Sequence, residues 1–137
     1  MATIPSRIAS TLRSLLTKSY SPYSRFPVSA IVVDSKGRYY TGVNVENASY
    51  GLTMCAERVA VFKAVSEGSR KIKRVYVASV SRDPAPPCGA CLQVIAEFAD
   101  DDTEIILYSA RSGKTLKYKL NDLLPVRFKF EVEKSEE

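Results

Sequence analysis

The sequence predicts an α/β fold in which a five-stranded mixed sheet lies between layers of helix. Three observations lead there. The 137 residues suffice to bury one sheet under helices but fall short of two ordinary domains. Stretches with helical and with strand periodicity alternate along the chain. The connection before the last strand is too short for a crossover, which needs at least ~10 residues, so the fifth strand should run antiparallel to the fourth. A single domain over residues 1–137 is expected, with residues 130–137 as a charged, frayed tail.

The elements follow in order. Ile8, Leu12, Leu15 and Leu16 fall at helical spacing within Ile4 to Ser19, with Pro5 near the start of this first amphipathic helix. Pro22 and Pro27 break it, since each pushes its predecessor toward extended geometry. Val28 to Val33 reads as a buried strand, Asp34-Ser35-Lys36-Gly37 as a turn, and Arg38 to Val43 as the returning strand of a hairpin. Ala56, Val59, Ala60, Phe62 and Ala64 mark a helix from Cys55 to Val65 that is stopped by Gly68 and packs on the hairpin. Ile72 to Val80 is the third strand. The proline-rich loop Ser81 to Pro87 leads into a helix from Cys88 to about Ala99, which together with the strand Glu104 to Tyr108 makes a parallel crossover. After the turn Ala110 to Gly113, Lys114 to Leu120 is the fifth strand, and Lys119 to Leu124 forms a short helical turn before Pro125.

An apolar share of 45% with 26% charged residues is that of a water-soluble globular chain, and no apolar run approaches the ~20 residues of a membrane span. Arg7 and Arg13 interrupt the apolar positions near the N-terminus, which argues against a signal peptide and for a cytoplasmic protein. The formal charge of +5 is common among enzymes that never touch nucleic acid. Its densest source, Arg70, Lys71, Lys73 and Arg74, lies just before a strand and reads as a solvated edge.

The most informative residues are Cys55-Ala56-Glu57 and, well downstream, Pro87-Cys88-Gly89-Ala90-Cys91. A Cys-x-x-Cys pair alone is shared by redox sites and structural zinc. Here a third cysteine stands two residues ahead of a glutamate, and three soft ligands are one too few to close a tetrahedral zinc. A catalytic zinc keeps water in the open position. The sequence has no histidine, so Glu57 is the natural proton carrier. The competing reading, a structural zinc module, needs a fourth ligand that only an Asp or Glu could supply. Helices starting at these cysteines would favour thiolate over thiol. Arg58 can hydrogen bond to a ligand sulfur and offset the charge of three thiolates, or it can form a surface ion pair.

These motifs, with Tyr23-Ser24-Arg25-Phe26-Pro27-Val28, Asn44-Val45-Glu46-Asn47-Ala48-Ser49-Tyr50 and Leu123-Leu124-Pro125 ahead of Phe128, resemble the small zinc-dependent cytidine deaminases of the all-cysteine, homotetrameric type. The resemblance runs from about Tyr20 to Phe128. It implies a three-layer α/β/α deaminase fold and one Zn2+ per subunit held by Cys55, Cys88 and Cys91. It also implies hydrolysis of cytidine and 2′-deoxycytidine to the uridines, with release of ammonia and with Glu57 moving the protons, as in pyrimidine salvage. Asn44 and Glu46 would hold the ribose hydroxyls, the backbone around Ala56 would read the pyrimidine edge, and Phe26 would pack on the ring. Phe128 would reach the base bound to a neighbouring subunit, and Tyr50 would lie near subunit contacts. The implied partners are a small nucleoside and three further copies of the chain, with no nucleic acid and no membrane.

By residue type alone, Phe26 and Phe128 read equally as core, and Asn44 and Glu46 as a solvated rim. Ser29 and Leu92 depart from relatives that have glycine and arginine there. The loss of a cation at position 92 leaves Arg58 more of the task of offsetting sulfur charge. Rival functions are an editor of polynucleotides, which needs a strip of phosphate contacts, and a deaminase of nucleoside-like antibiotics, for which Glu46 is less suited.

Overall fold

The computed structural model describes residues 2–130; the expectation of a frayed tail therefore lies outside the described residues from position 131 onward. The elements are α1 (Ser6–Leu16), β1 (Val28–Asp34), β2 (Tyr39–Val43), a 3-10 turn (Tyr50–Leu52), α2 (Ala56–Ser66), β3 (Ile72–Ser79), α3 (Gly89–Glu97), β4 (Glu104–Ser109), β5 (Thr115–Lys119) and α4 (Leu120–Leu123). They form one five-stranded sheet in the order β2-β1-β3-β4-β5. β3 and β4 are parallel, whereas β1 runs antiparallel to both its neighbours and β5 antiparallel to β4.

The two faces of the sheet follow the period of two. Ile31, Val33, Tyr76, Ala78, Ile106 and Tyr108 point to α1, where Ile8 and Leu12 are buried. Ala30, Val32, Val75, Val77, Ile105 and Leu107 point to the opposite layer, built by α2 and α3. Leu12 is fully buried, and removing it as Leu12→Ala would cost about 2–5 kcal/mol. β1 and β3 are covered on both faces, which explains their near-continuous apolar runs. Ser29, one of the two departures, is buried in β1 and its hydroxyl donates to the Leu12 carbonyl at 2.9 Å, fastening α1 to the sheet. Leu92, the other, lies on α3 with its side chain buried in the core.

The helix of Ile4 to Ser19 is shorter than its periodicity suggests. Pro5 occupies the N-cap position, and at the far end Thr17 gives Ser14 both its N–H (3.2 Å) and its hydroxyl (2.7 Å), closing the last turn early. The other expected elements lie within a residue or two of their positions, and the 3-10 turn at Tyr50–Leu52 was not anticipated. Gly68, with φ 103°, ends α2 as expected, because a left-handed residue there lets the Ser69 N–H reach the Ala64 carbonyl at 3.0 Å.

α2 lies unusually close to the hairpin. Ala56, Ala60 and Ala64 form its buried stripe, and a Cβ at Gly42 would meet the Ala56 carbonyl oxygen at 2.5 Å and the Ala60 nitrogen at 2.6 Å. Gly42 thus fixes the height of the α2 N-terminus above the sheet, and with it Cys55 and Glu57.

At the far end of β1, Asp34 is 1% exposed. Its carboxylate accepts from the Ser69 hydroxyl (2.6 Å), the Lys36 N–H (3.0 Å), the Arg38 N–H (2.9 Å) and Arg38 Nε (2.8 Å). Burial pushes this carboxyl up, but these bonds outweigh it and hold the pKa well below the usual carboxylate range. Among the described residues no helix is long and apolar enough to cross a membrane.

Candidate active site

Two helix N-termini carry the sulfurs. Cys55 is the N-cap residue of α2 and Cys88 that of α3, both with extended backbone. Cys91 follows within the first turn of α3, where its N–H points at the Cys88 sulfur at 3.4 Å. The three Sγ atoms lie within 4.8 Å of one another, and the Cys88 to Cys91 separation is 3.4 Å. A tetrahedral zinc with ~2.3 Å bonds to sulfur needs sulfurs about 3.8 Å apart, so the cluster fits that ion. Hydrogen bonding from the Cys91 thiol, aided by Arg58 and opposed by burial, draws the Cys55 pKa down to about 5, while Cys55 and burial push Cys91 up. Cys55 and Cys91 thus hold their protons unequally, and a bound cation would take the place of those protons.

Arg58, one turn into α2, directs Nη2 at the Cys55 sulfur at 3.3 Å. Its Nε is buried with no hydrogen-bond partner among the described residues. The side chain is therefore held at the cluster rather than in a surface ion pair. Glu57 is 5% exposed. Burial lifts its carboxyl to about 7, with a smaller push from Cys55, against the opposing pull of its own N–H and of Arg58.

An open pocket of about 300 Å³ lies over this cluster. Cys55, Ala56, Glu57 and Cys88 line it together with Phe26, Asn44 and Glu46. Val77 and Ser79 from the C-terminal part of β3 and Ala85 and Pro86 from the loop that follows also line it. Among the described residues no lysine or arginine lines it. Asn44 and Glu46, one residue beyond β2 and two further on, both reach it, as their alternation suggested.

The loop between α1 and β1 is tied to these two side chains. Asn44 Oδ1 accepts from the Ser19 hydroxyl (2.5 Å) and the Val28 N–H (2.9 Å), and its Nδ2 donates to the Phe26 carbonyl (2.9 Å). Glu46 accepts from the N–H groups of Tyr23 (3.0 Å) and Ser24 (3.1 Å) and from the Ser24 hydroxyl. That hydroxyl, with the two amides, holds the Glu46 carboxyl below its ordinary pKa despite partial burial.

Two expected site residues stand apart from the pocket. Tyr50 is 69% exposed; it packs edge-on against Tyr23, with ring centroids 5.8 Å apart, and borders a neighbouring pocket with Tyr23, Ser24, Glu46 and Thr53. Phe128 is 73% exposed and lies beside Gln93, whose Nε2 donates to its carbonyl at 3.1 Å. Neither touches the site of its own chain. Ser24, Thr53 and Ser79 line the pocket without having been singled out. Ser24 lay inside a quoted motif, but no spacing rule marks a serine that turns back on its own loop.

The comparisons with known proteins agree with this geometry. The family model described as the cytidine and deoxycytidylate deaminase zinc-binding region matches residues 5–107. A cytidine deaminase of Halalkalibacterium halodurans is 46% identical over 110 residues, which cover 80% of this chain and 83% of the relative. The 1.6 Å crystal structure of a cytidine deaminase from Burkholderia pseudomallei superposes with a TM-score of 0.85 at 37% identity, covering 92% of this chain and 100% of that one. A cytidine deaminase structure from Mycobacterium leprae gives a TM-score of 0.70 at 35% identity, over 85% and 97% of the respective chains. With its three sulfurs gathered beside a buried glutamate, and with most of its length matched, the chain belongs to the cytidine and deoxycytidylate deaminase zinc-binding family.

Proposed function

We propose that this protein hydrolyses cytidine and 2′-deoxycytidine to uridine and 2′-deoxyuridine, releasing ammonia. The observation that carries this reading is a single pocket lined by Cys55 and Cys88 of the sulfur cluster, by Glu57, and by Asn44 and Glu46. Cys55, Cys88 and Cys91 would hold one Zn2+, which when bound supplies a Lewis acid that lowers the pKa of water at its open position. Glu57 takes a proton from the attacking water and delivers it to N3 of the cytosine, making C4 electrophilic. The same carboxylate then takes the proton of the new C4 hydroxyl and passes it to the amine, which leaves as ammonia as the C4–N bond breaks and the C4 carbonyl forms, so one group serves as base and as acid. Arg58 offsets the sulfur charge. Phe26 offers its ring to the pyrimidine, and the backbone at Ala56 offers hydrogen bonds to the base edge.

Asn44 has one N–H left to donate and Glu46 one Oε2 lone pair left to accept, the pair that a sugar hydroxyl needs. Among the described residues the pocket lining carries two carboxylates and no cationic side chain, which favours an uncharged nucleoside over a nucleotide or polynucleotide. The reading extends to a single domain over residues 1–137 acting in the cytoplasm as a homotetramer, with no nucleic acid or membrane as partner. Exposed Phe128 would there reach the base bound to a neighbouring subunit, and exposed Tyr50 would lie near the subunit contacts.

Loss of cytosine absorbance is to be followed with cytidine, 2′-deoxycytidine, cytidine 5′-monophosphate and a single-stranded oligonucleotide. Turnover is expected for the two nucleosides. Turnover confined to the nucleotide or the oligonucleotide overturns this assignment.

A further inference from the structure

We propose that Ser24 is a positioning residue whose single hydroxyl locks sugar recognition to base recognition, by holding Glu46 and the Phe26 backbone in one fixed geometry. The proposal deepens the function above and rests on its assignment of Glu46 to the sugar and Phe26 to the base.

The hydroxyl makes two bonds in opposite senses. It donates to Glu46 Oε2 and accepts from the Phe26 N–H at 3.1 Å. Its proton must therefore point at Glu46, because the lone pair facing Phe26 can only accept. Glu46 Oε1 already accepts twice, from the amides of Tyr23 and Ser24. The Ser24 hydroxyl thus selects which lone pair of Oε2 remains for a ligand, and the carboxylate has no other rotor to choose. Phe26 is tied from its other side, since its carbonyl accepts from Asn44 Nδ2 at 2.9 Å. The two residues that would read the sugar and the one that would meet the base are joined through Ser24 and Asn44 by a chain of hydrogen bonds, which the backbone from Asn44 to Glu46 closes.

Two further features argue that the arrangement is built rather than incidental. Arg25, between Ser24 and Phe26, has a left-handed backbone with φ 57°, a conformation that costs a side-chain-bearing residue on the order of 1 kcal/mol. The chain holds it there, with the Arg25 N–H on the Ser21 carbonyl at 2.9 Å, and in that turn the Phe26 N–H comes back onto the Ser24 hydroxyl. In addition, Ser24 and Glu46 together border both the main pocket and its neighbour. Together with Thr53 they lie where the two pockets meet, and without the Ser24 hydroxyl the hold on Glu46 at the sugar position would rest on the two amides at Oε1.

Ser24→Ala and Ser24→Thr are to be compared with the wild type on cytidine and on 2′,3′-dideoxycytidine, with zinc content and Tm measured on each protein. The quantity read is the ratio of kcat/KM for the two substrates. Ser24→Ala is expected to lower that ratio about tenfold, through a higher KM for cytidine, as loss of one charge-assisted hydrogen bond implies. Ser24→Thr, which keeps the hydroxyl, is expected to stay within about threefold of the wild type. A loop merely weakened as structure would slow both substrates alike and leave the ratio in place. A Ser24→Ala protein that keeps the ratio, or a Ser24→Thr protein that loses it, overturns the proposal while leaving the sugar assignment standing. A wild type that treats the two substrates equally overturns the sugar assignment and this proposal together.

Discussion

Asp34 and Glu57 are both carboxylic acids almost wholly withdrawn from water, at 1% and 5% exposure, yet they sit at opposite ends of the sheet and behave in opposite ways. Asp34 is surrounded by donors: a hydroxyl, two amides and a guanidinium meet its two oxygens. It stays ionised and far below its ordinary pKa. Glu57 has no such cradle. Its own amide and Arg58 pull against burial and lose, and the carboxyl rises to about 7. Burial alone does not say what a carboxyl is for. A carboxylate whose lone pairs are all taken fastens a turn, whereas one left short of donors is ready to exchange a proton.

The largest effect expected from this contrast is on turnover. Glu57→Gln keeps the shape of the side chain but carries no proton, so kcat for cytidine should fall about 10³-fold. Zinc content should remain at one per subunit by metal analysis, and Tm should hold or rise slightly, because a neutral amide replaces a poorly solvated acid. A Glu57→Gln protein of wild-type activity would remove Glu57 from the chemistry and erase the contrast.

The mirror experiment is Asp34→Ala, where the expected loss is in stability. Four donors lose their acceptor in a buried turn, which should cost about 3 kcal/mol and lower Tm by roughly 10 °C. At 25 °C the folded variant should retain kcat/KM within about twofold, since Asp34 lies at the far end of β1 from the pocket. Loss of activity with no loss of stability would invert the assignment of the two acids.

The smallest effect is in pH dependence, and its sign follows from the direction of the Asp34 shift. A carboxyl with a folded pKa below its unfolded value of ~3.9 binds fewer protons when folded. Its contribution is therefore complete above pH ~4 and is lost as pH falls from there through the folded pKa. Asp34→Asn should flatten this part of the acid limb in chemical denaturation between about pH 4 and 2.5. An unchanged limb would mean that Asp34 titrates normally in the folded protein.

Much of this could be read from the sequence because local physics dominates where it applies. The period of two marked the strands, the breaks at Pro22, Pro27 and Gly68 marked the ends, and the short link after β4 gave the direction of β5. Cys55, Glu57, Cys88 and Cys91 stood out because soft ligands near a lone acid form a rare combination. The helix of Ile4 to Ser19 was drawn too long because periodicity cannot see Thr17 competing for the Ser14 carbonyl. Asp34 read only as a turn residue, since its partners Arg38 and Ser69 come from four and from thirty-five positions away.

The sequence by itself determined the kinds of element, the chemistry available and the residues able to hold a metal, because residue type and short-range spacing carry that information. Tertiary structure decided what those groups became. It brought two helix N-termini together so that distant cysteines share one site, and it used the missing side chain of Gly42 to set the height of α2. It also surrounded one buried acid with donors and left the other short of them. Hydrogen-bond partners across the sheet are fixed only when the chain closes on itself, and for a buried charge those partners outweigh the identity of the residue.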